Sequence, residues 1–162
     1  MTVRPRVTFR AEDEGDAEMI RRAHVAHRRT LFAELGWPTE ALAQLCDGQH
    51  VLQERHITDH HPAAGRWVIV AEGRAVGRLC VDQAYRPWRI VDIALLPDAQ
   101  GRGLGGEALR RLLQEARAAG VSVDLHVGHD NPRAQALYRR LGFTDAIGTS
   151  ATHHRLCWSP SA

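Results

Sequence analysis

Hydrophobic positions along the chain follow two periods, and the places where one gives way to the other outline the fold. Leu104, Ala108, Leu112 and Ala116 recur every fourth residue, with Leu109 and Leu113 beside them. That is the continuous stripe of a helix with one buried face. It predicts a helix from the end of a glycine loop to about Ala119, with Gly120 as its stop. Upstream, Glu12 to Leu35 starts acidic and then takes the helical period, with Ala23, Ala26, His27 and Leu31 as inward positions. Gly36-Trp37-Pro38 ends it. Thr39 is placed to cap a second helix, which runs to about Arg55 and carries Leu42, Leu45 and Leu52. Residues 57–65 read as a loop. Asn131-Pro132 opens a further helix with Ala134, Leu137, Tyr138 and Leu141 on one stripe, and Gly142 closes it.

Elsewhere the period is two. Val7 to Arg10 is a short strand. Trp67 to Ala71 and Ala75 to Val81 flank the tight turn Glu72-Gly73-Arg74 and predict a hairpin. Arg89 to Leu96 is a strong strand stopped by Pro97. Its alternation sets Val91, Ile93 and Leu95 on one face and Asp92 with Ala94 on the other. Val121 to Val127 is a further strand, and Phe143 to Ile147 with Thr152 to Trp158 read as a closing antiparallel pair. The predicted fold is α/β in the α+β sense: a mixed, mostly antiparallel central sheet of about six to seven strands, flanked by helices, with one β-α-β crossover. A chain of 162 residues is expected to form a single domain over 1–162.

Composition narrows the function classes. The formal net charge is +2, from 21 Lys+Arg against 19 Asp+Glu, and no arginine stripe argues for a nucleic-acid partner. No apolar run reaches membrane length. The start, MTVRPRVTFR, is basic, but acidic residues follow where a signal peptide needs an apolar stretch, so the expectation is a cytoplasmic protein. Cys46, Cys80 and Cys157 are odd in number and far apart, which suits small core residues rather than a disulfide framework or a zinc site. His56, Asp59, His60 and His61 read as a polar loop rather than a metal site, and most of Trp37, Trp67, Trp88 and Trp158 as core or sheet packing.

The candidate chemistry starts in DAQGRGLGGEAL, residues 98–109, where four glycines fall within six positions before a helix. A helix N-terminus beyond such a loop suits an anion. A nucleotide P-loop needs Lys and then Ser/Thr after the last glycine, and Glu107 stands there instead. A dinucleotide fold, and with it an NAD(P)-dependent oxidoreductase, needs glycines almost directly after the first strand and an acid about 20 residues on. Asp124 is near that distance but falls mid-strand, and too little chain follows for a doubly wound sheet.

A third reading uses the whole stretch. Gln100-Gly101-Arg102-Gly103-Leu104-Gly105 fits Q/R-x-x-G-x-G/A after the strand at 91–95, and Asn131, Leu137-Tyr138 and Leu141-Gly142-Phe143 follow. This combination resembles the GNAT superfamily of acyl-CoA-dependent N-acetyltransferases, densely over residues 89–143. The resemblance implies a splayed strand pair forming a cleft for acetyl-CoA, with the pyrophosphate on the loop Gln100, Gly101, Arg102, Gly103, Leu104, Gly105 and Gly106. It implies that the main chain of Ile93, Ala94 and Leu95 pairs with the pantetheine arm. It also implies that Asn131 reaches the cofactor and that Tyr138 protonates the departing thiolate. No metal is called for. The implied reaction is transfer of acetyl to a primary amine, on a small molecule or a peptide, with no nucleic-acid or membrane partner and with homodimerisation left open. A non-catalytic acyl-CoA sensor on the same fold stays open too.

The amine must lose a proton, which suits a side chain titrating near neutrality. His126 is the first candidate base, at the position where the ribosomal-protein-alanine acetyltransferase branch of the family carries a catalytic glutamate. Asp92, mid-strand near the implied reaction centre, is the second. Gln49, Gln53 and His56 share a helical face near the implied acceptor site.

Overall fold

The structure is a computed structural model and describes residues 6–161. The first five residues, where the argument against a leader begins, lie outside that range. Among the described residues, seven strands form one sheet in the order β1-β2-β3-β4-β5-β7-β6. They are β1 Val7–Ala11, β2 Gly65–Ala71, β3 Arg74–Asp82, β4 Trp88–Leu95, β5 Val123–Gly128, β6 Thr144–Asp145 and β7 His153–Trp158. Four helices flank the sheet: α1 Ala17–Phe32, α2 Thr39–His60, α3 Leu104–Ala119 and α4 Pro132–Arg140. All neighbouring strands are antiparallel except β4 and β5, which α3 joins. A parallel return needs such a crossover.

Local chemistry explains most boundaries. The β2–β3 turn closes between Ala71 and Arg74, with Glu72 and Gly73 at φ 53° and 75°, a left-handed pair that matches strand twist. Gly120, at φ 68°, receives the end of α3. The Asn131 side chain accepts from the Ala134 amide at 3.2 Å and caps α4, with Pro132 in its first turn.

The first half departs from expectation. Helix α2 continues to His60, so residues 57–60 are its last turn and not a loop. Nothing before Pro62 breaks a helix, and the rings of His56 and His60 stack at 4.3 Å, one turn apart. Thr39 opens α2 without capping it. The inner face also differs: Cys46 and Ile57 are buried while Leu52 is 56% exposed. In α1 the buried positions are Ile20, Ala23 and His24, and His27 lines the cleft instead of the core. Trp158 is buried, but Trp37 and Trp67 are exposed. Strand β6 keeps only Thr144–Asp145, because the chain then turns through Gly148 at φ 109°.

Strand alternation sends helices to opposite faces. Leu79 and Val81 of β3 line a small hollow with Phe9 and with Leu112 of α3. Arg78, between them and Val76, points the other way and bonds to Glu54 of α2. The α3 stripe is buried as its period predicts, from Leu104 through Leu109, Leu112 and Leu113 to Ala116. Each such leucine stabilises the fold by about 1.5–3 kcal/mol.

One irregularity positions the site. β4 pairs with β5 only from Trp88 to Ile90, opposite Val123 to Leu125. Beyond Ile90 the β5-facing edge of β4 has no ladder partner. At the same point the β3 register passes from Val81↔Ile90 to Cys80↔Asp92 and skips Val91, a bulge. Bulges bend strands and re-aim side chains. The two parallel strands therefore separate, and a cleft opens between them.

Candidate active site

The cleft is a cavity of about 710 Å³ whose walls include His24, His27, Arg28, Asp92, His126 and Tyr138. Ile93, Ala94 and Asn131 line it as well. The splayed strands thus bring six of the predicted residues around one space: Asp92, Ile93, Ala94, His126, Asn131 and Tyr138.

Tyr138 sits on α4 with its ring edge-on to Phe143, centroids 5.7 Å apart. Burial first, and then the Asp92 charge, pushes its phenol well above the ordinary value, so it holds its proton. His126 is the exposed residue in an otherwise buried run of β5. Partial desolvation by the cleft, and next the Arg89 charge, lowers its pKa from 6.5, so at neutral pH the imidazole is neutral and can accept a proton.

Asp92 is engaged on every side. One oxygen accepts from His24 Nε2 at 2.8 Å and from Arg78 Nη2 at 2.8 Å; the other accepts from Gln53 Nε2 at 2.8 Å. Burial alone would raise its carboxyl, but the bonds and charges of His24 and Arg78 hold it well below the usual carboxylate range. A carboxylate so held does not take up a proton near neutrality. Because the carboxylate only accepts, His24 donates to it through Nε2, and its Nδ1 lies 2.6 Å from His50 Nδ1. Arg78, fully buried, also binds Glu54 through Nη1 at 3.0 Å and Nη2 at 2.5 Å. Two helices and two strands are thereby tied together under the cleft floor.

The glycine loop lies beyond the cavity, beside the open edge of β4. Gln100 Nε2 donates to the Leu95 carbonyl at 3.1 Å and fixes the loop there. Gly101 and Gly103 take φ of 72° and 76°, a region that disfavours any side chain. A Cβ at Gly105 would stand 3.4 Å from Leu95 Cδ1. Helix α3 begins with no side-chain cap, so its first N–H groups point free into the loop. Leu104 is buried in the core. Arg102 pairs with Glu72 at 3.1 Å on the surface. Glu107, which excludes a P-loop, accepts from the Val7 amide at 3.0 Å and anchors β1 to α3.

His24, His50, Glu54 and Arg78 were not singled out by the sequence. Two signals were present. Arg78 is a charge in the middle of the apolar run Val76–Val81, and Asp92 is its opposite in the neighbouring strand. His24 follows Ala23 on the inner face of α1, one position from where the period was placed. Of the helical face Gln49, Gln53 and His56, all three line a second cavity beside the first, and Gln53 lines both.

With this geometry in view, residues 23–143 match the model of the Acetyltransferase (GNAT) family. The chain belongs to that family. Over 93 residues it is 48% identical to the GCN5-like protein acetyltransferase Rv2170 of Mycobacterium tuberculosis, covering 52% of this chain and 45% of that one. Over 69 residues it is 41% identical to the N-alpha-acetyltransferase RimI of the same organism, covering 43% and 42%. The chain thus spans about half the length of the relatives it matches. In three dimensions it is similar to the PaiA N-acetyltransferase of Thermoplasma acidophilum, solved with coenzyme A, with TM-score 0.72, 13% identity, and 94% and 98% of the two chains covered. It is also similar to the spermidine N-acetyltransferase of Vibrio cholerae, solved with CoA and spermine, with TM-score 0.66, 22% identity, and 95% of each chain covered. GNAT membership and the single crossover replace the dinucleotide-fold reading of the glycines. Among the described residues no helix is long and apolar enough to cross a membrane.

Proposed function

We propose that this protein transfers an acetyl group from acetyl-CoA to a primary amine by direct attack. The observation that carries the reading is the unpaired edge of β4, which faces a cavity walled by a protonated Tyr138. The residues suit acetyl-CoA: positive-φ glycines let backbone approach a pyrophosphate, the uncapped start of α3 supplies N–H groups to it, and the open edge of β4 along Ile93, Ala94 and Leu95 can pair with an extended arm. Gln100 acts through the Leu95 carbonyl, Arg102 offers a surface charge to the loop, and Asn131 lines the route to Tyr138. Acetyl-CoA supplies an activated thioester.

The roles of the chain's own groups follow from their protonation. His126, neutral and facing the cleft, accepts the proton the amine must lose. Backbone N–H groups near Ile93 to Leu95 stabilise negative charge on the thioester oxygen. Tyr138 donates its proton to the departing sulfur. Asp92 is placed here as a positioning group: it orders His24, Gln53 and Arg78 and favours the protonated form of Tyr138. No metal enters the scheme.

The test is amine-dependent thiol release from acetyl-CoA across an amine panel, with the acetylated amine identified by mass. Release that depends on the amine, with the product 42 Da heavier than the substrate (roughly one acetyl for one proton), is expected. Acetyl-CoA binding with no release for any amine would leave a sensor in place of an enzyme.

A further inference from the structure

Arg28 is the cation of this cleft that the protein itself does not neutralise. Its neighbours are all answered: Arg78 by Asp92 and Glu54, Arg66 by Glu54, and Arg89 and Arg155 by Asp124. Among the described residues Arg28 forms no ion pair. Its Nη2 donates only to the neutral Gln53 Oε1, and its Nε is buried without an acceptor. The side chain is half-buried, and burial lowers its pKa against the opposing pull of Asp92. It cannot escape by losing a proton, since guanidinium stays charged.

Its position is between two spaces. The second cavity, about 700 Å³, adjoins the first, and both are walled by Arg28, Gln53, Ile90, Val91 and His126. Arg28 and the candidate base therefore wall the same two spaces. The acid whose charge Arg28 feels, Asp92, already has its oxygens bonded to His24, Arg78 and Gln53, and Asp130 is an exposed residue of the wall. Burial first and then the Arg28 charge lower the pKa of His27.

A partly dehydrated cation is costly unless an anion meets it, and a guanidinium fork fits a carboxylate in two parallel bonds. We propose that the acceptor is a primary amine that also carries a carboxylate, which Arg28 seats while the amine is presented to His126. This rests on the acetyl-transfer reading above. A single unanswered positive charge matches a carboxylate better than a doubly charged phosphate. The same charge repels polyamines, so this chain departs from the similar fold that was solved with spermine.

The experiment compares amino acids with their own carboxamides, spermidine and phosphoethanolamine at saturating acetyl-CoA, for wild type, Arg28→Lys, Arg28→Gln and Arg28→Glu. Wild type is expected to favour the acid over its carboxamide by roughly tenfold or more in kcat/KM, near the low end for one charged hydrogen-bonded contact. Arg28→Gln should abolish that preference, Arg28→Glu should invert it, and Arg28→Lys should keep part of it. Affinity for acetyl-CoA should not change in any of them. A wild type that prefers carboxamides, spermidine or phosphoethanolamine overturns the proposal, as does a preference that survives in Arg28→Gln. Calorimetric binding of an N-acetyl amino acid to the CoA-loaded protein reads the subsite without turnover. If that product binds wild type but not Arg28→Gln while no amine is acetylated, acetyl transfer fails and the carboxylate site stands. If neither occurs, the carboxylate site fails as well.

Discussion

In the proposed reaction Tyr138 and His126 carry the two proton movements, and each can be tested alone. Tyr138→Phe keeps the ring against Phe143 and removes only the hydroxyl. Turnover should fall by roughly 10²–10⁴-fold, the range for a lost acid, with acetyl-CoA affinity unchanged in calorimetry. Unchanged turnover would remove the role. His126 has a lowered pKa, so it is neutral, and able to accept a proton, from neutral pH down past its ordinary 6.5. Activity should therefore fall along an acid limb whose midpoint lies below 6.5, and that limb should disappear in His126→Gln. A limb that survives the substitution puts the base elsewhere. As residues of the cleft wall both were legible in the sequence, Tyr138 from its place after Leu137 on a helical stripe and His126 as a polar interruption of an apolar strand. Asp92 was legible as a position but not as a role. Its partners come from α1, α2 and β3, up to 68 residues away in sequence, and no local pattern reports such a meeting.

Helices and strands answer to separate tests. Gly103 and Gly120 both take positive φ at the ends of α3, at 76° and 68°. Alanine at either should cost about 1 kcal/mol of stability. Only Gly103→Ala, beside the free N–H groups, should also weaken acetyl-CoA binding, by roughly tenfold or about 1.4 kcal/mol. Equal affinity in the two variants would separate the loop from the cofactor. The buried pair Arg78–Asp92 joins two strands beneath the cleft. Asp92→Asn leaves the Arg78 charge short of a partner and should cost about 3–5 kcal/mol in urea unfolding at neutral pH. The Asp92 pKa is depressed on folding, so its contribution is complete above its ordinary 3.8 and fades as pH falls through the lower folded value. The gap between wild type and Asp92→Asn should close in that acid range. Elements with strong punctuation, such as α3 between its glycines and the Glu72-Gly73 hairpin, were readable at once. The end of α2 was not. Histidines and an aspartate there suggested a loop, yet none of them breaks a helix, and His61 finds Asp82 at 2.8 Å to hold the turn beyond it.

At the scale of the whole molecule, the sheet works by failing to close. β4 and β5 share three residues of parallel ladder and then part, the bulge at Val91 marks the divergence, and α3 and α4 bring the glycine loop and Tyr138 to the opening. The order of elements predicted this sheet and its single crossover. The width of the cleft and the charge inside it came from the meeting of α1 and α2 with β4, which only the folded chain displays. The proposed reaction requires that opening to be the seat of acetyl-CoA. Isothermal titration of acetyl-CoA into the wild-type protein, with Gly103→Ala beside it, measures this directly. Saturable binding in the micromolar range, weakened in Gly103→Ala, is the predicted result; no binding at millimolar acetyl-CoA would contradict it.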